Sequence, residues 1–173
     1  GTSLTDQILA SNTKVSSLGE VGYADEMAVQ VKELTGKHYP QGLAGLSQED
    51  INLLRANFLG KISPSHSDIP VLIDKTPMNF QYLGLLAEVF PNAKFIHIHR
   101  DPVESVGSFC SLTKNVRLAF SKKVDTHNIG ETVIDFWNHN LTKGMLDRKS
   151  LANNQIVDIQ YSEFVKNPLE LIK

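Results

Sequence analysis

Four short polar stretches hold the residue types that could do chemistry in this chain. Gly1-Thr2-Ser3 runs straight into a helical pattern. It offers unpaired backbone amides, two hydroxyls and the positive end of a helix dipole, which together suit a phosphate; a plain helix cap uses the same residues. Asp74-Lys75-Thr76-Pro77 follows the apolar run Val71-Leu72-Ile73, Arg100-Asp101-Pro102 follows Lys94 to His99, and Gln160-Tyr161-Ser162 follows Ile156 to Ile159. Lys75 and Arg100 are the cations of this set. Ser108 lies two turns into a helix that Pro102 begins, so an arginine fork and a hydroxyl could hold one dianionic group between them. Pairing of Arg100 with Asp101 or Glu104 at the helix entrance is the other arrangement open to these residues.

These stretches need elements to position them. Leu4, Ile8 and Leu9 form an apolar stripe at helical spacing after Gly1. Residues 24–34 and 48–59 read as helices, the second opened by a Ser47/Asp50 capping box. Val71-Leu72-Ile73 is too short for a helix and reads as a buried strand. Asn79 to Val89 reads as a helix broken by Pro91, Lys94 to His99 as the clearest strand, 129–149 as the longest helix, and 156–159 as a further strand. Asn167-Pro168 starts a last helix. Strands that are nearly all apolar and separated by helices indicate a parallel sheet covered on both faces. In such sheets ligands bind beyond the carboxyl ends of the strands, where the polar stretches fall. The chain opens inside a turn and closes in a helical pattern over residues 169–173, so a fragment cut at both ends is expected.

The chain has 173 residues, a length that suits one domain over residues 1–173 with a single core. A net charge of −2 gives no support to a nucleic-acid or anionic-membrane partner. With 41% hydrophobic and 21% charged residues the chain lies in the globular range, not the disordered one. Cys110 is the single cysteine, which excludes an intrachain disulfide and starves a cysteine-based zinc site of ligands. No apolar stretch approaches the roughly 20 residues of a membrane span. Nothing calls for an oxidising compartment, and a cytoplasmic location is the expectation.

Taken together and in order, the motifs resemble the sulfotransferase family, closest to the broad bacterial group related to tyrosylprotein sulfotransferases. The segments are Gly1-Thr2-Ser3-Leu4 with Gln7 to Ser11, Asp74-Lys75-Thr76-Pro77-Met78-Asn79-Phe80, Phe90-Pro91-Asn92-Ala93-Lys94, His99-Arg100-Asp101-Pro102 with Ser108, and Tyr161 to Val165 with Asn167-Pro168. The resemblance implies a three-layer α/β, P-loop-like domain with a central parallel sheet flanked by helices. It implies sulfuryl transfer from 3′-phosphoadenosine 5′-phosphosulfate (PAPS) to a hydroxyl or amine, with no metal required. Gly1, Thr2 and Ser3 match the loop around the 5′-phosphosulfate, Arg100 and Ser108 the pair on the 3′-phosphate, and Tyr161 a tyrosine near the nucleotide. Lys75 matches the lysine at the reacting sulfate, and Glu20 falls where the tyrosylprotein branch has its catalytic glutamate. The histidine base of cytosolic small-molecule sulfotransferases has no counterpart in Lys75-Thr76-Pro77, and the upstream arginine and C-terminal donor-binding segment of the family are absent from the chain.

Sulfuryl transfer, like phosphoryl transfer, demands in-line geometry and charge stabilisation. A carboxylate such as Glu20 can take the acceptor proton while Lys75 and the loop amides stabilise charge on oxygen. Asp25 and Glu26 lie close to Glu20 in sequence, and a solvated loop acid is the alternative for it. The enzymatic rival is a nucleoside-triphosphate kinase or hydrolase, in which Asp74 would hold magnesium; no Lys follows Gly1 in the pattern that reaches the β- and γ-phosphates. A nucleotide-binding scaffold without catalysis is the second rival. The segments expected to shape an acceptor pocket, 36–70 and 112–130, carry neither a basic run nor an aromatic cluster. Ser65-His66-Ser67-Asp68 contains triad residue types but sits in one loop. His97 and His99 share a strand face at a spacing a metal could use, yet no third ligand is evident. Cys110 and Trp137 fit core packing within helices.

Overall fold

The computed structural model describes residues 1–66, 68–152 and 154–171, so Ser67 of the serine–histidine loop and the last two residues of the C-terminal helical pattern lie outside it. Among the described residues, four strands and eight α-helices follow in order: α1 Thr2–Ala10, β1 Val15–Gly19, α2 Tyr23–Thr35, α3 Gln48–Leu59, β2 Val71–Asp74, α4 Leu83–Val89, β3 Phe95–His99, α5 Pro102–Phe120, α6 Thr126–Arg148, β4 Ile156–Gln160, α7 Tyr161–Phe164 and α8 Pro168–Leu171. Local chemistry accounts for many of the boundaries. Ser47 and Asp50 form the expected reciprocal box at the start of α3. Asp101 caps α5 ahead of Pro102, and Asp125 caps α6 by accepting from His127 and Asn128 N–H.

Three expectations need correction. The strands form two separate parallel pairs, β1–β2 and β3–β4, instead of one central sheet, because no ladder of backbone hydrogen bonds joins the pairs among the described residues. The sheet is also not covered on both faces: Ile96 and Val157, paired across β3 and β4, are 41% and 54% exposed. The helix expected over 79–89 begins as a 3₁₀ turn, Pro77–Tyr82, before α4. Strand β1 went unread in the sequence because Ser16 and Ser17 interrupt its apolar run.

Burial follows from where the apolar faces meet. Ala24, Met27 and Val31 of α2 close on Leu54 and Phe58 of α3 and on Leu85, Leu86 and Val89 of α4. Edge-on contacts of Phe58 with Tyr23 and Phe90 join the three helices, with ring centroids 5.3 and 4.9 Å apart. The core is therefore built between helices, while the strands are largely half-buried. Helix α6 lies against the 3₁₀ turn, where a Cβ on Gly144 would fall 2.6 Å from the Phe80 carbonyl oxygen. That close approach fixes the turn following Lys75 against the longest helix of the chain.

Candidate active site

Two groups of the expected residues come together. The first lies at the carboxyl ends of β1 and β2. The parallel register matches Gly19 with Asp74 across a bulge between Ser17 and Gly19, and Lys75 N–H continues the ladder by donating to the Gly19 carbonyl at 3.0 Å. Glu20 and Lys75 thus leave neighbouring strand ends side by side, and Lys75 Nζ meets Glu20 Oε1 at 2.5 Å. The lysine side chain is 15% exposed and the glutamate 57%. The neighbouring acids are occupied elsewhere: Asp25 accepts from the Tyr82 hydroxyl at 2.7 Å, and Glu26 pairs with Lys61. Burial, followed by the hydrogen bond to Asp25, pushes the Tyr82 phenol above its ordinary range.

The second group lies at the end of β3 and the start of α7. A Cβ on Gly1 would lie 2.6 Å from Ile98 Cγ2 and 3.0 Å from Tyr161 Cδ2, so only glycine lets the α1 N-terminus approach this strand end so closely. The Arg100 guanidinium lies over the Tyr161 ring, 5.2 Å from its centroid. Gly1, Arg100 and Tyr161 are therefore one cluster. Thr2 is half-buried and Ser3 exposed, and no side chain caps the first turn of α1. Arg100 pairs with Glu104 at 3.0 Å and is 42% exposed, so a ligand anion competes with a weak, solvated partner. Asp101 is instead the α5 cap. Ser108 is exposed on α5.

A third cluster was only half legible. Across β3 and β4 His97 faces Asp158, and His99, His97 and Asp158 bring ligand atoms within 4.8 Å of one another. The carboxylate that the sequence did not reveal is nevertheless taken: Arg148, from the end of α6, grips both oxygens of Asp158, and His99 Nε2 bonds to one of them. Arg148 Nη1 also lies 3.4 Å from His97 Nδ1, which makes this a hydrogen-bonded ion-pair network hostile to a cation. The Arg148 hydrogen bonds hold the Asp158 carboxyl far below the usual range. Burial, with the His99 and Arg148 charges against the pull of Asp158, lowers His97 from 6.5 to about 4.

That shift has a signed consequence. Between pH about 6.5 and about 4 the unfolded chain takes up a proton at His97 that the folded chain refuses. The contribution is intact above the unfolded value and is lost as pH falls through this window, by up to roughly 3 kcal/mol. Urea midpoints of the native protein should fall from pH 7 to pH 4, and His97→Gln should remove this step. A native curve flat over that window contradicts the shift.

Of the other features set aside in the sequence, His66 ends a 3₁₀ turn and bonds to Ser16 Oγ at 2.9 Å. Trp137 sits in a half-buried aromatic group, stacked on Phe80 with centroids 5.6 Å apart and edge-on to Phe109 and Phe136. Cys110 is half-buried and is not in a disulfide. No helix among the described residues is long and apolar enough to cross a membrane.

A profile of the sulfotransferase family matches residues 1–173. The chain belongs to the sulfotransferase family. Among curated proteins, this chain is 26% identical over 186 residues to an uncharacterized protein of Aquifex aeolicus (strain VF5), covering 100% of the chain and 23% of that protein. It is 28% identical over 132 residues to a Caenorhabditis elegans protein named "Putative protein-tyrosine sulfotransferase", covering 75% of the chain and 48% of that relative. The chain thus spans about a quarter and about half of the length of these two relatives.

Proposed function

We propose that this chain transfers the sulfuryl group of PAPS to a hydroxyl or amine acceptor by in-line displacement. The observation that carries the reading is the 2.5 Å contact between Lys75 Nζ and Glu20 Oε1 at adjacent strand ends. It sets a cation suited to sulfuryl oxygens beside a carboxylate suited to a proton. Glu20 removes the acceptor proton as the new bond to sulfur forms. Lys75 stabilises charge on the bridging oxygen as its bond to sulfur breaks, and adenosine 3′,5′-bisphosphate leaves. The donor set fits such a substrate chemically: free amides at the start of α1, the Arg100 guanidinium on Tyr161, and the Ser108 hydroxyl. Asp74, which the triphosphate reading assigns to magnesium, has Oδ1 engaged by the Thr76 N–H and hydroxyl, and its Oδ2 is buried.

Calorimetry on the whole protein tests this reading. Adenosine 3′,5′-bisphosphate should bind well and ATP with magnesium poorly, and transfer should survive a chelator; tight ATP binding with magnesium-dependent turnover favours the kinase alternative. Arg100→Ala should weaken the bisphosphate by about ten-fold or more, since a charge-assisted contact is worth about 1.5–3 kcal/mol. Adenosine 5′-phosphate should barely respond. Equal losses for the two nucleotides remove Arg100 from the 3′-phosphate.

A further inference from the structure

The segment carrying Glu20 is pinned at both ends by side-chain hydroxyls. At its start Gly19 adopts φ 72° and donates its N–H to Ser17 Oγ at 3.0 Å. At its end Gly22, with φ 66°, donates its N–H to Thr76 Oγ1 at 3.4 Å. Thr76 flanks Lys75, and its hydroxyl donates to Asp74 Oδ1 at 2.6 Å while its N–H donates to the same oxygen at 3.0 Å. A hydroxyl has one proton and two lone pairs. With the proton committed to Asp74, a lone pair is directed at Gly22. Asp74 Oδ2 is buried with no hydrogen-bonding partner among the described residues, so the contacts to Thr76 set how this carboxylate is held.

From this arrangement we infer that Thr76, oriented by Asp74, is the positioning residue that holds the Glu20 loop against Lys75. The inference rests on the sulfotransferase reading for the reaction it serves. Its physical basis is that displacing a reacting group by about 1 Å can cost on the order of 10²-fold in rate. The left-handed glycines on either side of Glu20 and Val21 allow the tight loop but do not fix where Glu20 points. The hydroxyl contact to Gly22 supplies that constraint from the strand that also delivers Lys75.

Trace acylation of Lys75 by acetic anhydride in the whole protein, read by mass spectrometry, tests the geometry without an acceptor. Acylation needs an ε-amine that can leave its partner and reach the reagent, and Lys75, 15% exposed, is held against Glu20 Oε1 at 2.5 Å. Thr76→Val keeps the shape but loses the hydroxyl and should raise the Lys75 labelling rate about two- to five-fold, the equivalent of losing a partly exposed ion pair. Thr76→Ser should label at the native rate, and Asp74→Ala should label as Thr76→Val does. Glu20→Gln should give the same rise, and combining it with Thr76→Val should add nothing, a non-additivity that general loosening does not produce. Unchanged labelling in folded Thr76→Val, or additive rises in the double variant, overturns the inference. Should Thr76→Val not fold, Asp74→Ala carries the same comparison. Absence of sulfuryl transfer by the native protein instead overturns the functional reading, while the labelling rates still decide the positioning.

Discussion

Glu20→Gln lowers turnover by about 10²–10⁴-fold and leaves affinity for adenosine 3′,5′-bisphosphate nearly unchanged. The substitution preserves length and hydrogen-bonding capacity, so Lys75 keeps an oxygen to contact where Glu20 Oε1 stood at 2.5 Å. What disappears is a group able to accept a proton. The effect should fall on the chemical step because Glu20 follows β1 and contacts Lys75, whereas Gly1, Arg100 and Tyr161 gather at the end of β3. The measurement is steady-state transfer with the best acceptor from a panel of alcohols, phenols and amines, alongside calorimetry with the bisphosphate. Normal turnover would place the proton acceptor elsewhere.

Lys75→Ala slows turnover by about 10²–10³-fold, the usual consequence of removing one donor to developing charge. It differs from Glu20→Gln in how it responds to the donor. A donor analogue with a better leaving group needs less stabilisation from the protein, so the Lys75→Ala defect shrinks while the Glu20→Gln defect persists. A two-by-two comparison of both variants with both donors separates the roles. Identical responses of the two variants would mean that they act through one shared structural effect. The lysine side chain is only 15% exposed, so its removal also leaves Glu20 without its ion-pair partner. Donor affinity measured in parallel shows whether that loss spreads beyond the reacting centre.

Much of this arrangement could be read from residue types. Ser47 with Asp50, and Pro102 by itself, marked helix starts because capping and first-turn proline are local chemistry. The apolar runs at β2, β3 and β4 were legible for the same reason, and so were the polar stretches at their ends. What escaped depended on distant pairing. β1 carries Ser16 and Ser17 where an apolar run was sought, and only its register with β2 makes it a strand. Asp158 lies far along the chain from His99 and meets it through the β3–β4 register, and Arg148 reaches Asp158 from the end of α6. Nothing near Thr76 in sequence announces Gly22 as its partner. The division of the strands into two pairs is likewise a tertiary outcome that apolar runs do not encode.

That division has a bearing on how such a protein can change. Glu20 and Lys75 stand on β1–β2, while Gly1, Arg100 and Tyr161 gather at the end of β3–β4, and no backbone ladder joins the two pairs among the described residues. Under the proposed assignment, the reacting pair and the arginine that recognises the nucleotide stand on different strand pairs. Substitutions that reshape the loops around one strand pair leave the other's register intact. New acceptors can then be explored by descent while the grip on a common donor is inherited unchanged.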